Sequence, residues 1–173
     1  MQVVKAGPSD FETVQGFYDS LIDERRRVGH NITWVKGVYP SPTLVRESLE
    51  RGELYLGMED DQIAAAMVLN CRGNDGYEDA PWHVEAGEGE AMVIHALGVH
   101  PRFGGRGIGA QMTQCAIALA REAGMKAVRL DVLESNAQAR RIYASCGFEH
   151  VTLVKLYYDN TGLTEFELME HVL

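Results

Sequence analysis

The stretch VHPRFGGRGIGAQM, Val99 to Met112, places Gly104, Gly105, Gly107 and Gly109 within six positions. The chain behind it reads as a helix, because Ile108, Met112, Cys115, Ala116 and Leu119 recur at helical spacing. Glycine costs roughly 1 kcal/mol per interior helix position relative to alanine. Four glycines at a helix start therefore need a reason. In front of them runs AMVIHALGV, apolar enough for a buried strand. A strand, a glycine-rich turn and a helix together make an anion site. The first N–H groups of a helix have no internal partner, and the helix dipole favours negative charge there. Glycines let the backbone curve into a nest and let a phosphate approach without meeting a Cβ. Arg102 and Arg106 add local positive charge.

Two phosphate-binding patterns fail. The P-loop pattern requires lysine where Ala110 follows Gly109, and the dinucleotide pattern begun at Gly107 requires glycine where Met112 stands.

Working outward, QVVKA predicts a first strand. Pro8-Ser9-Asp10 opens a helix with Phe11, Val14, Phe17, Tyr18, Leu21 and Ile22 on one face. Arg25 to Tyr39 gives no clear pattern. Ser41-Pro42 starts a second helix ending near Gly52. ELYLGME and IAAAMVLN form a hairpin around Asp60-Asp61-Gln62. Arg72 to Glu90 is a long loop rich in acidic residues, a length usually functional or mobile. Behind the glycine stretch the helix runs to about Ala123 and Gly124 ends it. AVRLDVL is a strand, Asn136 to Cys146 a helix stopped by Gly147, and HVTLVKLYY and LTEFELMEHVL two strands joined at Asn160-Thr161-Gly162. The order is β-α-α-β-β-β-α-β-α-β-β, an α/β mixed-sheet domain over residues 1–173.

Composition narrows the function. Apolar content is 46% and aromatics are 8%, as in ordinary globular proteins. No run of about 18 apolar residues predicts a membrane span, and the N-terminus lacks the marks of a signal peptide. The net charge of −9 argues against nucleic acid, whose phosphates need a basic surface. The three cysteines lie far apart and have no zinc spacing, and the six histidines include no H-x-x-x-H pair, so no metal site is expected. Absent signals and reduced thiols together predict a cytoplasmic protein.

About thirty residues after the glycine turn comes ESNAQARRIYASCGFEH. Asn136, Ala139 and Tyr143 are spaced i, i+3, i+7 and share one helix face. Ala139 permits close approach, Asn136 offers a donor and an acceptor suited to an amide, and Tyr143 is placed to protonate a leaving thiolate. Each also has a plain structural reading. Ser135 with Gln138 looks like a capping box, which leaves Asn136 in a cap, and Tyr143 with Phe148 fits core packing.

Val99-x-Pro101-x-x-x-Gly105-x-Gly107-x-Gly109 at a strand end, followed by Asn136, Ala139, Tyr143, Gly147 and Phe148, resembles the two motifs of the GNAT superfamily of acyl-CoA-dependent N-acyltransferases. The resemblance covers nearly the whole chain and is strongest from Val93 to Phe148. It implies that the amides of Gly104, Gly105, Arg106, Gly107, Ile108, Gly109 and Ala110 hold the CoA pyrophosphate. Gly104 falls where the family usually has glutamine or arginine, so that side-chain contact is missing. The resemblance further implies that Leu97, Gly98 and Val99 pair with pantetheine, in a sheet that splays between HALGV and RLDVL. Gly98 inside a strand fits a bulge or close ligand approach.

For the base, His95 lies two residues before Leu97, which by strand alternation places both on one face. HALGVH also resembles the HALAVH of arylalkylamine N-acetyltransferases, where that histidine is linked to amine deprotonation. A hydrogen-bonded core histidine is the other reading, and Glu90 is the reserve base. His100 is expected to serve the turn rather than the chemistry. The implied reaction is direct attack of a primary amine on acetyl-CoA in a ternary complex. The acceptor is a small molecule or a peptide, and a homodimer is compatible with the resemblance. The alternative is a non-catalytic CoA-binding sensor or interaction domain on the same fold.

Overall fold

The computed structural model describes residues 1–29 and 33–173; part of the patternless stretch from Arg25 to Tyr39 lies outside them. Seven strands and four α-helices follow in the expected order. They are β1 (Gln2–Lys5), α1 (Phe11–Arg27), α2 (Pro42–Glu50), β2 (Leu54–Glu59), β3 (Gln62–Asn70), β4 (Ala91–Val99), α3 (Ile108–Glu122), β5 (Ala127–Leu133), α4 (Ala137–Ser145), β6 (Glu149–Tyr158) and β7 (Gly162–Val172). Two compact units result: residues Met1–Val68 with Ala96–Met112, and Leu69–His95 with Thr113–Leu173. Strands β3 and β4 and helix α3 each begin in one unit and end in the other.

In the first unit β1 pairs with β2, and β2 with β3, both antiparallel. The hairpin turn is tighter than expected. Asp60 and Asp61 alone make it, both at positive φ, and Gln62 already pairs with Glu59. Two such residues match the twist of the flanking strands. Helix α1 buries Val14, Phe17, Tyr18, Leu21 and Ile22, five of its six expected face residues. Phe11 packs at the margin of that cluster. Pro8–Asp10 is a short 3₁₀ turn ahead of the helix, and the Asp10 carboxylate accepts from the Gly7 N–H at 2.8 Å. Ser41 caps α2 by accepting from the Leu44 N–H at 3.1 Å, with Pro42 in the first turn. Each fully buried apolar side chain of this cluster contributes about 2 kcal/mol of transfer free energy.

In the second unit β4 and β5 run parallel, and β7 pairs antiparallel with both β5 and β6. The parallel ladder pairs Ala91–Val93 with Ala127–Arg129. The long loop between β3 and β4 is docked along its length. Arg129 and Glu170 form a buried ion pair at 2.8 Å. The same Glu170 accepts from the His83 N–H at 2.6 Å, Arg129 donates to the Val84 carbonyl, and its guanidinium lies 4.3 Å from the Trp82 ring centroid. Tyr77 packs with Val93 and Leu168 in the local core. The loop's acidic residues gave no hint of this, because its anchors are aromatic and backbone groups.

Candidate active site

The first unit supplies the end of β4 and the glycine turn. Ala96 sits in the left-handed region at φ +49°, a conformation that costs an L-residue roughly 1–2 kcal/mol. Its carbonyl accepts from the buried Tyr18 hydroxyl at 3.0 Å, which holds the irregularity in place. The strand is thus interrupted one residue after His95, and spacing alone no longer puts His95 and Leu97 on one face. Gly98 has a packing reason. A Cβ there would stand 2.8 Å from Leu21 Cδ1 and 3.0 Å from Trp34, so the missing side chain makes room for α1 and Trp34. Leu97 and Val99 are half-buried on either side of it.

His100 serves the turn, as expected. Its Nδ1 accepts from the Arg102 N–H at 3.3 Å and its Nε2 lies 3.1 Å from Ser20 Oγ. Burial, and then the Arg102 charge, hold its pKa below the usual histidine range. Pro101–Phe103 make one 3₁₀ turn. Gly105 and Gly107 follow at φ +76° and +72°, with Arg106 between them. Alternation of this kind turns successive N–H groups to one side and forms a nest. Ile108 is buried and opens α3, with Gly109 and Ala110 in its first turn. Gly104 differs from its neighbours in having an ordinary φ of −59°. A Cβ there would press on the Pro101 carbonyl oxygen at 3.0 Å. A side chain at this position would need the turn to give by a few tenths of an ångström. Gln111, which sequence reasoning passed over, reaches back to donate to the Arg106 carbonyl at 3.3 Å.

The second unit carries the other group of residues. Asn136, not Ser135, is the N-cap of α4, and its side chain accepts from the Ala139 N–H at 3.2 Å. The cap uses the amide oxygen of the side chain. Ala139 and Tyr143 are half-buried on the helix. The Tyr143 ring lies 5.8 Å from that of Phe148, so the packing role is real. Burial, and then the Asp131 carboxylate, push the Tyr143 hydroxyl well above its ordinary pKa. The phenol consequently keeps its proton throughout the neutral range.

His95 Nε2 lies 3.0 Å from the Arg72 carbonyl oxygen and 3.2 Å from Asn70 Oδ1. A carbonyl only accepts, so Nε2 carries the proton and the neutral ring has its lone pair on Nδ1. Glu90 stands at the opposite end of β4. It pairs with Lys126 at 2.6 Å and accepts from the Gly87 N–H, and both contacts hold its carboxyl below the usual range. Cys115 is half-buried, and burial, followed by the Glu122 charge, raises its thiol. Among the described residues no group of three or more His, Cys, Asp or Glu side chains is placed to hold a metal ion. No helix among them is long and apolar enough to cross a membrane.

Asp131, in the centre of β5, went unread in the sequence. It accepts from Asn74 Nδ2 at 2.6 Å, the Tyr77 hydroxyl at 2.7 Å and the Tyr158 hydroxyl at 2.9 Å. The available signal was polar Arg129 and Asp131 alternating within an otherwise apolar strand.

A strand end running through a glycine nest into a helix is the arrangement expected of an acyl-CoA-dependent acyltransferase. Comparison with known proteins agrees. The model of the Acetyltransferase (GNAT) family matches residues 17–148. The chain belongs to the GNAT acetyltransferase family. Among curated proteins it is 26% identical over 111 residues to the uncharacterized N-acetyltransferase YesJ of Bacillus subtilis (strain 168). That match covers 59% of this chain, and the chain spans 56% of that relative. A GNAT-family acetyltransferase from Streptococcus agalactiae superposes with a TM-score of 0.79 at 17% identity, covering 99% of this chain and 95% of that one. YncA of Salmonella typhimurium, solved with its cofactor acetyl-CoA, gives 0.70 at 16% identity, covering 99% and 93%. These structural likenesses establish the fold.

Proposed function

We propose that this chain is an N-acetyltransferase that moves the acetyl group of acetyl-CoA to a primary amine by direct attack. The observation that carries the reading is the nest at Gly105 and Gly107, two positive-φ glycines at the start of α3 in a chain whose net charge is −9. Family membership supports the activity, and yncA with its acetyl-CoA supports the co-substrate. The amides from Gly104 to Ala110 hold the pyrophosphate, with Arg102 and Arg106 adding charge. The backbone of Leu97, Gly98 and Val99 and the amide of Asn136 hold the pantetheine arm. Ala139 leaves room for it.

In the reaction the amine nitrogen attacks the thioester carbonyl carbon, a C–N bond forms and the C–S bond breaks. His95 Nδ1 takes the proton that the amine loses. Tyr143 donates its hydroxyl hydrogen to the departing sulfur. Its raised pKa makes it a poorer acid than a free phenol, so it gives a hydrogen bond early and transfers the proton only as charge builds on sulfur. Glu90, tied to Lys126, takes no part. The acceptor is a small-molecule or peptide amine.

Thiol release from acetyl-CoA across a panel of amines tests the reading. Amine-dependent release with intersecting initial-velocity patterns and no acetylated enzyme is the expected result. Acetyl-CoA binding without release from any amine would instead make the chain a sensor.

A further inference from the structure

Two carboxylates on β7 have basic partners. Glu170 is matched by Arg129, and Glu167 by Arg140 and His150. Asp131 is half-buried and meets three neutral donors, Asn74, Tyr77 and Tyr158. Among the described residues no lysine, arginine or histidine forms an ion pair or hydrogen bond with it. Its negative charge lacks a counter-charge where removal from bulk water makes one valuable.

The surroundings show what such a counter-charge would be for. The parallel ladder pairs Val93 with Arg129. His95 and Asp131 each lie two residues further along their strands, on the face of that pair. The loop links them, because the Arg72 carbonyl contacts His95 while Asn74 and Tyr77 donate to Asp131. Two tyrosines bring their hydroxyls to the carboxylate, and Tyr158 is backed by Phe166 at 5.1 Å between ring centroids.

We propose that Asp131 binds the ammonium group of the acceptor, so that the substrate is a cationic amine presented beside His95. The role as acceptor site rests on the acetyl-transfer reading; the binding of a cation does not. Asp131 holds the protonated amine and Tyr77 and Tyr158 fix the carboxylate; the ammonium releases one proton to solvent before attack, and His95 takes the second as the C–N bond forms.

Calorimetric titration at pH 7 and fixed ionic strength tests this, with 1,4-diaminobutane as the cationic probe and 1,4-butanediol as its neutral counterpart. The unaltered protein should bind the diamine at least tenfold more tightly, and Asp131→Asn should lose that preference while melting normally. Tyr158→Phe keeps the charge and should keep the preference. Equal binding of diamine and diol by the unaltered protein would overturn the proposal and needs no variant to be folded. So would a preference retained in Asp131→Asn, or one lost equally in Tyr158→Phe, since the cluster would then only tether the loop. A diamine preference that depends on Asp131, with no thiol release from acetyl-CoA, would support the cation site and refute the transferase reading.

Discussion

Replacing Gly107 by alanine separates backbone strain from steric blockage. Gly107 has φ +72°, and the nearest atom to an added Cβ is Gln111 Nε2 at 4.0 Å. Space is therefore available, and the cost lies in the backbone, about 1–2 kcal/mol for an L-residue held in the left-handed region. If the turn keeps its shape, the melting temperature falls by roughly 2–8 °C for a chain of this size. If the turn relaxes, the same energy appears as a loss of acetyl-CoA affinity of about 5- to 30-fold. Thermal unfolding without ligand and calorimetry with acetyl-CoA together account for both routes. Gly107→Asn is the control, because asparagine tolerates positive φ better than alanine although it is larger. The strain argument ranks Asn above Ala in stability, and a clash argument ranks them the other way. Gly107→Ala with unchanged melting and unchanged affinity would refute the reasoning.

Tyr143→Phe should lower turnover by at least tenfold and leave acetyl-CoA affinity within about twofold, checked by thiol release and calorimetry; an unchanged rate would remove Tyr143 as the acid. Glu170→Ala leaves the Arg129 guanidinium uncompensated and frees the loop at His83 and Val84, which should cost about 3–5 kcal/mol and lower the melting temperature by roughly 6–20 °C. His100 is buried with its pKa below the usual value, so the unfolded chain takes up its proton first. Its contribution is fully present above about pH 6.5 and is lost as pH falls toward the lowered folded value. Melting temperatures from pH 8 to 5 should show a steeper acid decline in the unaltered protein than in His100→Gln.

The element order was legible because each helix and strand carries its own period. The apolar face of α1, the Ser41-Pro42 start of α2 and the Gly124 and Gly147 stops are local signals, and all reappear in the structure. The glycine turn was legible for the same reason. Long-range contacts were not. Nothing near Gly98 in the sequence points to Leu21 and Trp34, which fill its missing side chain. The left-handed Ala96 is invisible in HALGV, because alanine carries no preference for that conformation and Tyr18 holds it from 78 residues away. Asp131 gathers donors from the loop and from β6, so its importance lies in partners that only folding brings together. The one-residue shift of the α4 cap from Ser135 to Asn136 reflects two adjacent residues that both favour capping.

The central claim is that the glycine nest holds the phosphates of an acyl-CoA. Thermal unfolding with acetyl-CoA, with NAD and ATP as controls, tests it most directly. At a hundredfold excess over Kd, binding adds about 2.7 kcal/mol, which is a rise of roughly 5–11 °C. The account predicts that rise with acetyl-CoA and none with NAD or ATP. No rise with acetyl-CoA, or an equal rise with all three, would contradict it.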